Sequence, residues 1–173
     1  MINLEREIRE QPGILSSVIG ANEAVAEEIV KAAKAAGVAG IYFAARGTSD
    51  HACIYAQYLF GILAGVPCTL GTPSVCTKYS AHIDLSKYLV VGVSQSGKAE
   101  DVLEVLRQAK ADGAVTVAVT NEMASPMAAE AEYHMFCGAG TEYSIAATKT
   151  FTSQMMILAL LAAKWAENDE FLA

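Results

Sequence analysis

Five short apolar runs, each next to a helix-forming stretch, restrict what this chain can fold into more than any other feature. Residues 41–45 (IYFAA), 66–70 (VPCTL), 88–93 (YLVVGV), 115–119 (VTVAV) and 133–137 (YHMFC) are rich in β-branched or aromatic types and read as strands. Residues 22–36, 49–64, 98–112, 124–131 and 147–166 carry helix formers, with Gly37, Gly65 and Gly113 as C-terminal stops. Such alternation means βαβ units. Strands that are apolar throughout are buried on both faces, as a parallel sheet between two helix layers requires. The expected fold is α/β: a three-layer α/β/α sandwich on a five-stranded parallel sheet, with 2-1-3-4-5 the common strand order.

The 173 residues fit one ordinary domain, assigned to residues 21–173. Residues 1–20 read as a helical arm, broken at Pro12-Gly13, and residues 71–86 as a long polar connection holding a short helix.

Charge and residue spacing exclude several functions. A net charge of −7 with 12 Lys and Arg gives no clustered basic surface, so nucleic acid is not an expected partner. Cys53, Cys68, Cys76 and Cys137 form no C-x-x-C pair, and His51, His82 and His134 have no partner at metal-ligand spacing. Neither metal nor cofactor is expected. The opening MINLEREIRE alternates charges where a signal peptide needs an apolar core, and the apolar run MMILALLAA (155–163) is too short to cross a bilayer. A cytoplasmic protein without membrane association is expected. Yet 53% of residues are hydrophobic, and the segments 51–65 and 151–165 are apolar nearly all round, which places them at an interface.

The polar turns carry the functional signal. Strand 41–45 ends in RGTSD (46–50) and strand 88–93 ends in SQSGK (94–98), each opening directly into a helix. With order 2-1-3-4-5 these strands flank the switch point, where ligands bind in open parallel sheets. The hydroxyls of Thr48, Ser49, Ser94 and Ser96, with unpaired amides at two helix starts, would then form an anion site, phosphate being the natural guest. The competing reading makes these residues ordinary helix N-caps. Gly92 to Ala99 also matches G-x-x-x-x-G-K, but alanine stands where a P-loop needs Ser or Thr for magnesium. Between the last strand and last helix lies GAGTEYSIAATKTFTSQ (138–154), in which Ser144, Thr148 and Thr150 would cap a helix or meet a ligand. Its Glu142 would shuttle a proton between neighbouring carbons of a polyol, or else cap a helix or pair with Lys149.

With these stretches in view, the chain resembles the sugar isomerase (SIS) domain, most closely the first of the two in the isomerase module of glutamine:fructose-6-phosphate amidotransferases. EIREQP (7–12) is similar to that module's lead-in helix, ARGTSD to its first phosphate-side turn, SQSGKAED to its SQSGxxxD turn, and AGTEYSIAATKTFTSQ to its GTExxVASTKxFT segment. The resemblance covers nearly the whole chain. It implies a flavodoxin-like sandwich that binds a phosphorylated sugar or amino sugar, with Ser94, Gln95 and Ser96 around the phosphate and Thr48 and Ser49 close by. Ile145 and Thr148 join the substrate-binding set, and Glu142 is the catalytic candidate. Two departures stand out: Lys98-Ala99 replaces the family's usual Glu-Thr, and Ala147 replaces a serine that the family places near the sugar. The resemblance further implies that a second SIS domain, or a second copy in a homodimer, completes the site. It leaves two functions open: part of a phosphosugar isomerase acting on a hexose 6-phosphate, or a non-catalytic phosphosugar sensor.

Overall fold

The computed structural model describes residues 2–172. Its sheet holds five parallel strands, β1 (Gly40–Ala45), β2 (Cys68–Leu70), β3 (Tyr88–Ser94), β4 (Val115–Thr120) and β5 (Tyr133–Phe136), in the order β2-β1-β3-β4-β5. The expected α/β sandwich and strand order are those observed. β1 and β3 pair from Gly40↔Tyr88 to Ala45↔Val93, so the two strands end level with each other. The turns that follow them therefore emerge side by side.

Alternate side chains of each strand feed two separate cores. Ile41, Phe43, Leu89, Val91, Val117 and Met135 point into one, where they meet buried residues of α1 (Asn3–Ala36), α2 (Thr48–Leu59) and α6 (Lys149–Trp165). Tyr42, Ala44, Val90 and Ala118 point into the other, with α4 (Glu100–Ala111), Cys76 of α3 (Ser74–Tyr79) and Met127 of α5 (Pro126–Glu130). Both faces are thus covered, which is why the strands carry apolar residues at successive positions. Gly92 sits on the α4 face: a Cβ there would lie 2.9 Å from both Leu106 Cδ1 and Met127 Cε. Its role is close packing inside β3, so the G-x-x-x-x-G-K pattern does not form a phosphate loop.

Three sequence readings are corrected. The expected break at Pro12-Gly13 is absent, since α1 runs unbroken through Pro12 for 34 residues. Proline cannot donate to the Ile8 carbonyl, but buried Glu7 on one side and Val18, Asn22 and Ala26 on the other pin the helix to the body. Tertiary contacts outweigh one lost hydrogen bond. The α6 segment is not a free greasy face either, because α1 and α2 cover it, and Ile157 to Ala163 are all buried. By contrast, α2 and its π-wound continuation Phe60–Ala64 leave Tyr58 and Ile62 exposed at 67% and 74%. Finally, α4 begins at Glu100 rather than Lys98, so the SQSGK turn does not pass directly into it.

Side-chain amides tie the last strand and its loop into place. Asn22 of α1 bonds the edge of β5, accepting from Phe136 N at 2.8 Å and donating to Phe136 O at 3.0 Å. Asn121 does the same after β4, accepting from Ala139 N and donating to Gly140 O, both at 2.8 Å. Gly138 and Gly140, with φ of 60° and 65°, let the chain turn there. No helix among the described residues is long and apolar enough to cross a membrane.

Candidate functional site

A cavity of about 260 Å³ opens where β1 and β3 end. Thr48 and Ser49 line it from the start of α2, Ser94, Gln95 and Ser96 from the turn after β3, and Ile145 from the loop before α6. Six of the expected substrate-binding residues, from three separated segments, thus share one hollow. Thr148 is placed differently. Its amide and hydroxyl both donate to Glu142 Oε1, at 2.7 and 2.9 Å, as it caps the approach to α6.

The hydroxyls are not ordinary N-caps. The cap of α2 is Gly47, at φ 57° and ψ −130°, and that of α4 is Ala99; neither helix has a side-chain cap bond. Thr48 and Ser49 open α2, so their amides lack intrahelical acceptors and lie at the positive end of its dipole. Within the β3 turn, Gly97 N donates to Ser94 Oγ at 3.2 Å and Lys98 N to Ser96 Oγ at 3.3 Å. These bonds shape a tight turn and leave lone pairs and hydroxyl protons to serve a ligand. Gly97 has φ 61°, and a Cβ on it would collide with the Ser125 side chain at 2.3 Å. The turn is therefore held against the start of α5.

Among the described residues that line the cavity, one is cationic. Arg46 lines it, with Nε 3.4 Å from Asp101 Oδ2 at the start of α4. The opposite wall is a stripe of α6 and its approach: Ala147, Thr150, Phe151 and Gln154, spaced i, i+3, i+4, i+7. Sequence reasoning missed Arg46 and Gln154 as site residues. Helical spacing was the available signal for Gln154, obscured by the apolar character of the rest of that helix.

Glu142 faces an adjoining hollow of about 500 Å³, which shares Gln95 and Ser96 with the first and adds Asn121, Glu122 and Phe136. Its Oε2 accepts from the Thr150 hydroxyl and from Gln95 Nε2, the latter at 3.3 Å. With the two bonds from Thr148, the carboxylate is held by four donors. Lys149 is not its partner: the ammonium meets Glu10 of α1 at 2.6 Å. Glu7, one turn earlier on α1, accepts from the amides of Tyr143 and Ser144 at 2.6 and 3.2 Å. The adjacent Ser144 side chain, whose hydroxyl makes no hydrogen bond of good geometry, these two amides and the Lys149 ammonium hold the Glu7 carboxyl below the usual carboxylate range, against the opposing effect of burial. The lead-in helix thus fastens the loop that carries Glu142, a role its sequence did not reveal.

The histidines lie apart from both hollows' linings. His134 Nε2 is 2.8 Å from Thr120 Oγ1, and burial lowers its pKa. His82 pairs with Asp112 and His51 is exposed. All four cysteines are free; burial pushes the Cys137 thiol up to about 12, which makes it unreactive at neutral pH.

A parallel α/β/α sandwich with hydroxyls and helix-start amides gathered at its switch point defines a class of flavodoxin-like domain with a polar crevice at the strand ends. Within that class, this chain belongs to the SIS domain family, whose profile matches residues 37–164. It is 39% identical over 155 residues to the glutamine–fructose-6-phosphate aminotransferase (isomerizing) of Methanocaldococcus jannaschii, covering 88% of this chain and 14% of that protein. Against the enzyme of the same name from Thermococcus kodakarensis it is 36% identical, covering 94% of this chain and 27% of the relative. Among solved structures, a protein of Silicibacter pomeroyi DSS-3 provisionally assigned as a phosphosugar isomerase superposes with a TM-score of 0.93 at 35% identity. That match covers 99% of this chain and 53% of the other. The C-terminal domain of glucosamine-fructose-6-phosphate aminotransferase from Francisella tularensis gives a TM-score of 0.81 at 27% identity, covering 99% of this chain and 49% of that one. The chain therefore spans about half the length of these structures and a smaller share of the curated relatives.

Proposed function

We propose that this chain is the phosphosugar-gripping SIS domain of an aldose/ketose isomerase or amino-sugar phosphate enzyme acting on a hexose 6-phosphate. The observation that carries the reading is the cavity at the ends of β1 and β3, where Thr48, Ser49, Ser94, Gln95 and Ser96 converge beside the start of α2 and Arg46. Phosphate is doubly charged near neutral pH and has several acceptor oxygens. Amides, hydroxyls and one guanidinium supply its bonds without a basic surface. The names of the relatives, which act on fructose 6-phosphate, support the choice of sugar.

The reaction would be a 1,2-proton shift through an enediol or enolamine. Glu142 is the candidate base, reaching the phosphate side through Gln95. A second SIS domain, in a neighbouring domain or a second copy of the chain, completes the site in this reading. A phosphosugar sensor is the second reading, favoured by one observation: four donors already hold the Glu142 carboxylate, which suits gripping better than proton transfer.

Calorimetry with fructose 6-phosphate and glucosamine 6-phosphate tests the binding reading. Wild type should bind, and Ser94→Ala should bind at least tenfold more weakly, having lost a hydroxyl to the anion and the bond that closes its own turn. Silence from wild type, or equal affinity in the mutant, removes the proposal.

A further inference from the structure

Gln154 sits one turn beyond Thr150 on α6, lines the cavity, and is 1% exposed. Its neighbours on the same helix are bonded: Ser153 Oγ donates to Lys149 O at 2.8 Å and the Thr150 hydroxyl goes to Glu142. No hydrogen bond joins the Gln154 carboxamide to another described residue, and the enclosed polar atoms without a partner are Gln108 Oε1 and Ser144 Oγ, so the Gln154 amide opens on the cavity. A carboxamide carries two donors and an acceptor with two lone pairs, which here are left to solvent or a ligand. Leucine or methionine would fill the same space on a helix whose next residues are Met155, Met156, Ile157 and Leu158. The amide is thus a polar group with no structural partner, placed on the wall of the cavity that the Ser94–Ser96 turn also lines.

Resting on the phosphosugar reading above, we infer that Gln154 is a specificity-determining contact that hydrogen-bonds the carbon chain of the bound sugar, not its phosphate. Charge decides which end it reads. The phosphate end has the α2 start, the Ser94–Ser96 turn and Arg46, whereas the α6 wall offers no cation: Ile145, Ala147 and Phe151 are apolar, and Thr150 is turned to Glu142. A neutral amide that both donates and accepts matches a hydroxyl, which does the same, and Phe151 beside it offers a flat apolar face to C–H groups. The ligand class that fits is therefore a phosphate monoester with hydroxyls on the carbons farthest from the ester. Bare phosphate, or a phosphorylated alkyl chain, would leave the amide unserved.

The test uses Gln154→Leu and Gln154→Asn in the full chain, titrated by calorimetry with fructose 6-phosphate, glucosamine 6-phosphate and inorganic phosphate. Gln154→Leu should lose about tenfold in affinity for both sugars, the worth of one buried bond to a hydroxyl, while inorganic phosphate is unaffected. Its melting temperature should match that of wild type, because the substitution breaks no hydrogen bond within the protein; a purely structural glutamine would lower it. Gln154→Asn keeps the amide but withdraws it by one methylene, and should show the same selective loss. Equal sugar affinities in wild type and both variants, or parallel losses for sugars and inorganic phosphate, would overturn the inference and leave the phosphosugar reading intact. No sugar binding by wild type would sink both.

Discussion

Glu7 Oε1 accepts a hydrogen bond from the backbone nitrogen of Tyr143 at 2.6 Å, across 136 residues of sequence. The same carboxylate takes the Ser144 amide, and Glu10 takes Lys149, so the first helix holds the loop directly after Glu142 and again at the start of α6. Because the folded-state pKa of Glu7 lies below its unfolded value, its stabilisation is present above the ordinary carboxylate range and is lost as pH falls through the folded value. The protection of the Tyr143 and Ser144 amides, their slowing relative to an unstructured peptide at the same pH, should therefore fall on acidification. Glu7→Gln should show weak protection at every pH and lose that acid dependence; an unchanged protection profile in the variant would place the clamp elsewhere.

Arg46 has a side chain 60% exposed, and its guanidinium is shared with Asp101. An exposed charge pair contributes at most about 1 kcal/mol, so Arg46→Ala should weaken phosphosugar binding only about fivefold. The more telling readout is salt. Affinity in the variant should fall less steeply with ionic strength than in wild type, since the one cation of the cavity is gone. Identical salt slopes in calorimetry would show that the anion is held by amides and hydroxyls alone.

Gly92→Ala tests the packing reading of the G-x-x-x-x-G-K pattern. The added methyl would press on Leu106 and Met127 at 2.9 Å, and overpacking of this kind costs about 1–3 kcal/mol. The urea midpoint should drop with an unchanged m-value, and phosphosugar affinity should persist in the folded fraction. Loss of binding without loss of stability would instead give Gly92 a place in the site.

The sheet was legible because burial on both faces writes itself into the strands as uninterrupted apolar runs, as in VVGV and VTVAV. The turns that line the candidate site were legible because small hydroxyl residues cluster where those runs end. What could not be read depended on contacts distant in sequence. Pro12 looks like a break until Val18 and Asn22 are seen docked on the body, and α6 looks like an oligomer surface until α1 is laid over it. Nothing local to Glu7 and Glu10 marks the amides and lysine that meet them more than 130 residues later. Gln154 was hidden for the opposite reason, being one polar residue in an apolar helix.

With α6 covered, α2 and its π-wound end are the part of the expected interface that stays exposed, where Tyr58 and Ile62 stand with Ile54 at 37% exposure. Light scattering of wild type at micromolar concentration should show a dimer, and Ile62→Glu should give a monomer with unchanged melting behaviour, because the glutamate would be desolvated only in the interface. A monodisperse wild-type monomer would assign this face to a second domain or to no partner at all.

Glu142→Gln separates proton transfer from mere gripping. The carboxylate offers oxygens on both sides, Oε1 to Thr148 and Oε2 to Thr150 and Gln95. A carboxamide must turn its NH₂ toward one of these sets of donors, which leaves buried groups unserved and should lower stability by about 1–3 kcal/mol. Catalysis is read by incubating fructose 6-phosphate with the chain in deuterium oxide and following solvent deuterium into carbon 1 by NMR. If Glu142 moves the proton, exchange in the variant should fall at least a hundredfold while sugar affinity changes less than threefold, and Glu142→Asp should restore part of the rate. If the glutamate only secures its loop, affinity and exchange should decline together. Absence of exchange by wild type that nevertheless binds the sugar would place proton transfer in the second SIS domain or favour the sensor reading, and in either case would leave Glu142 the role of securing its loop.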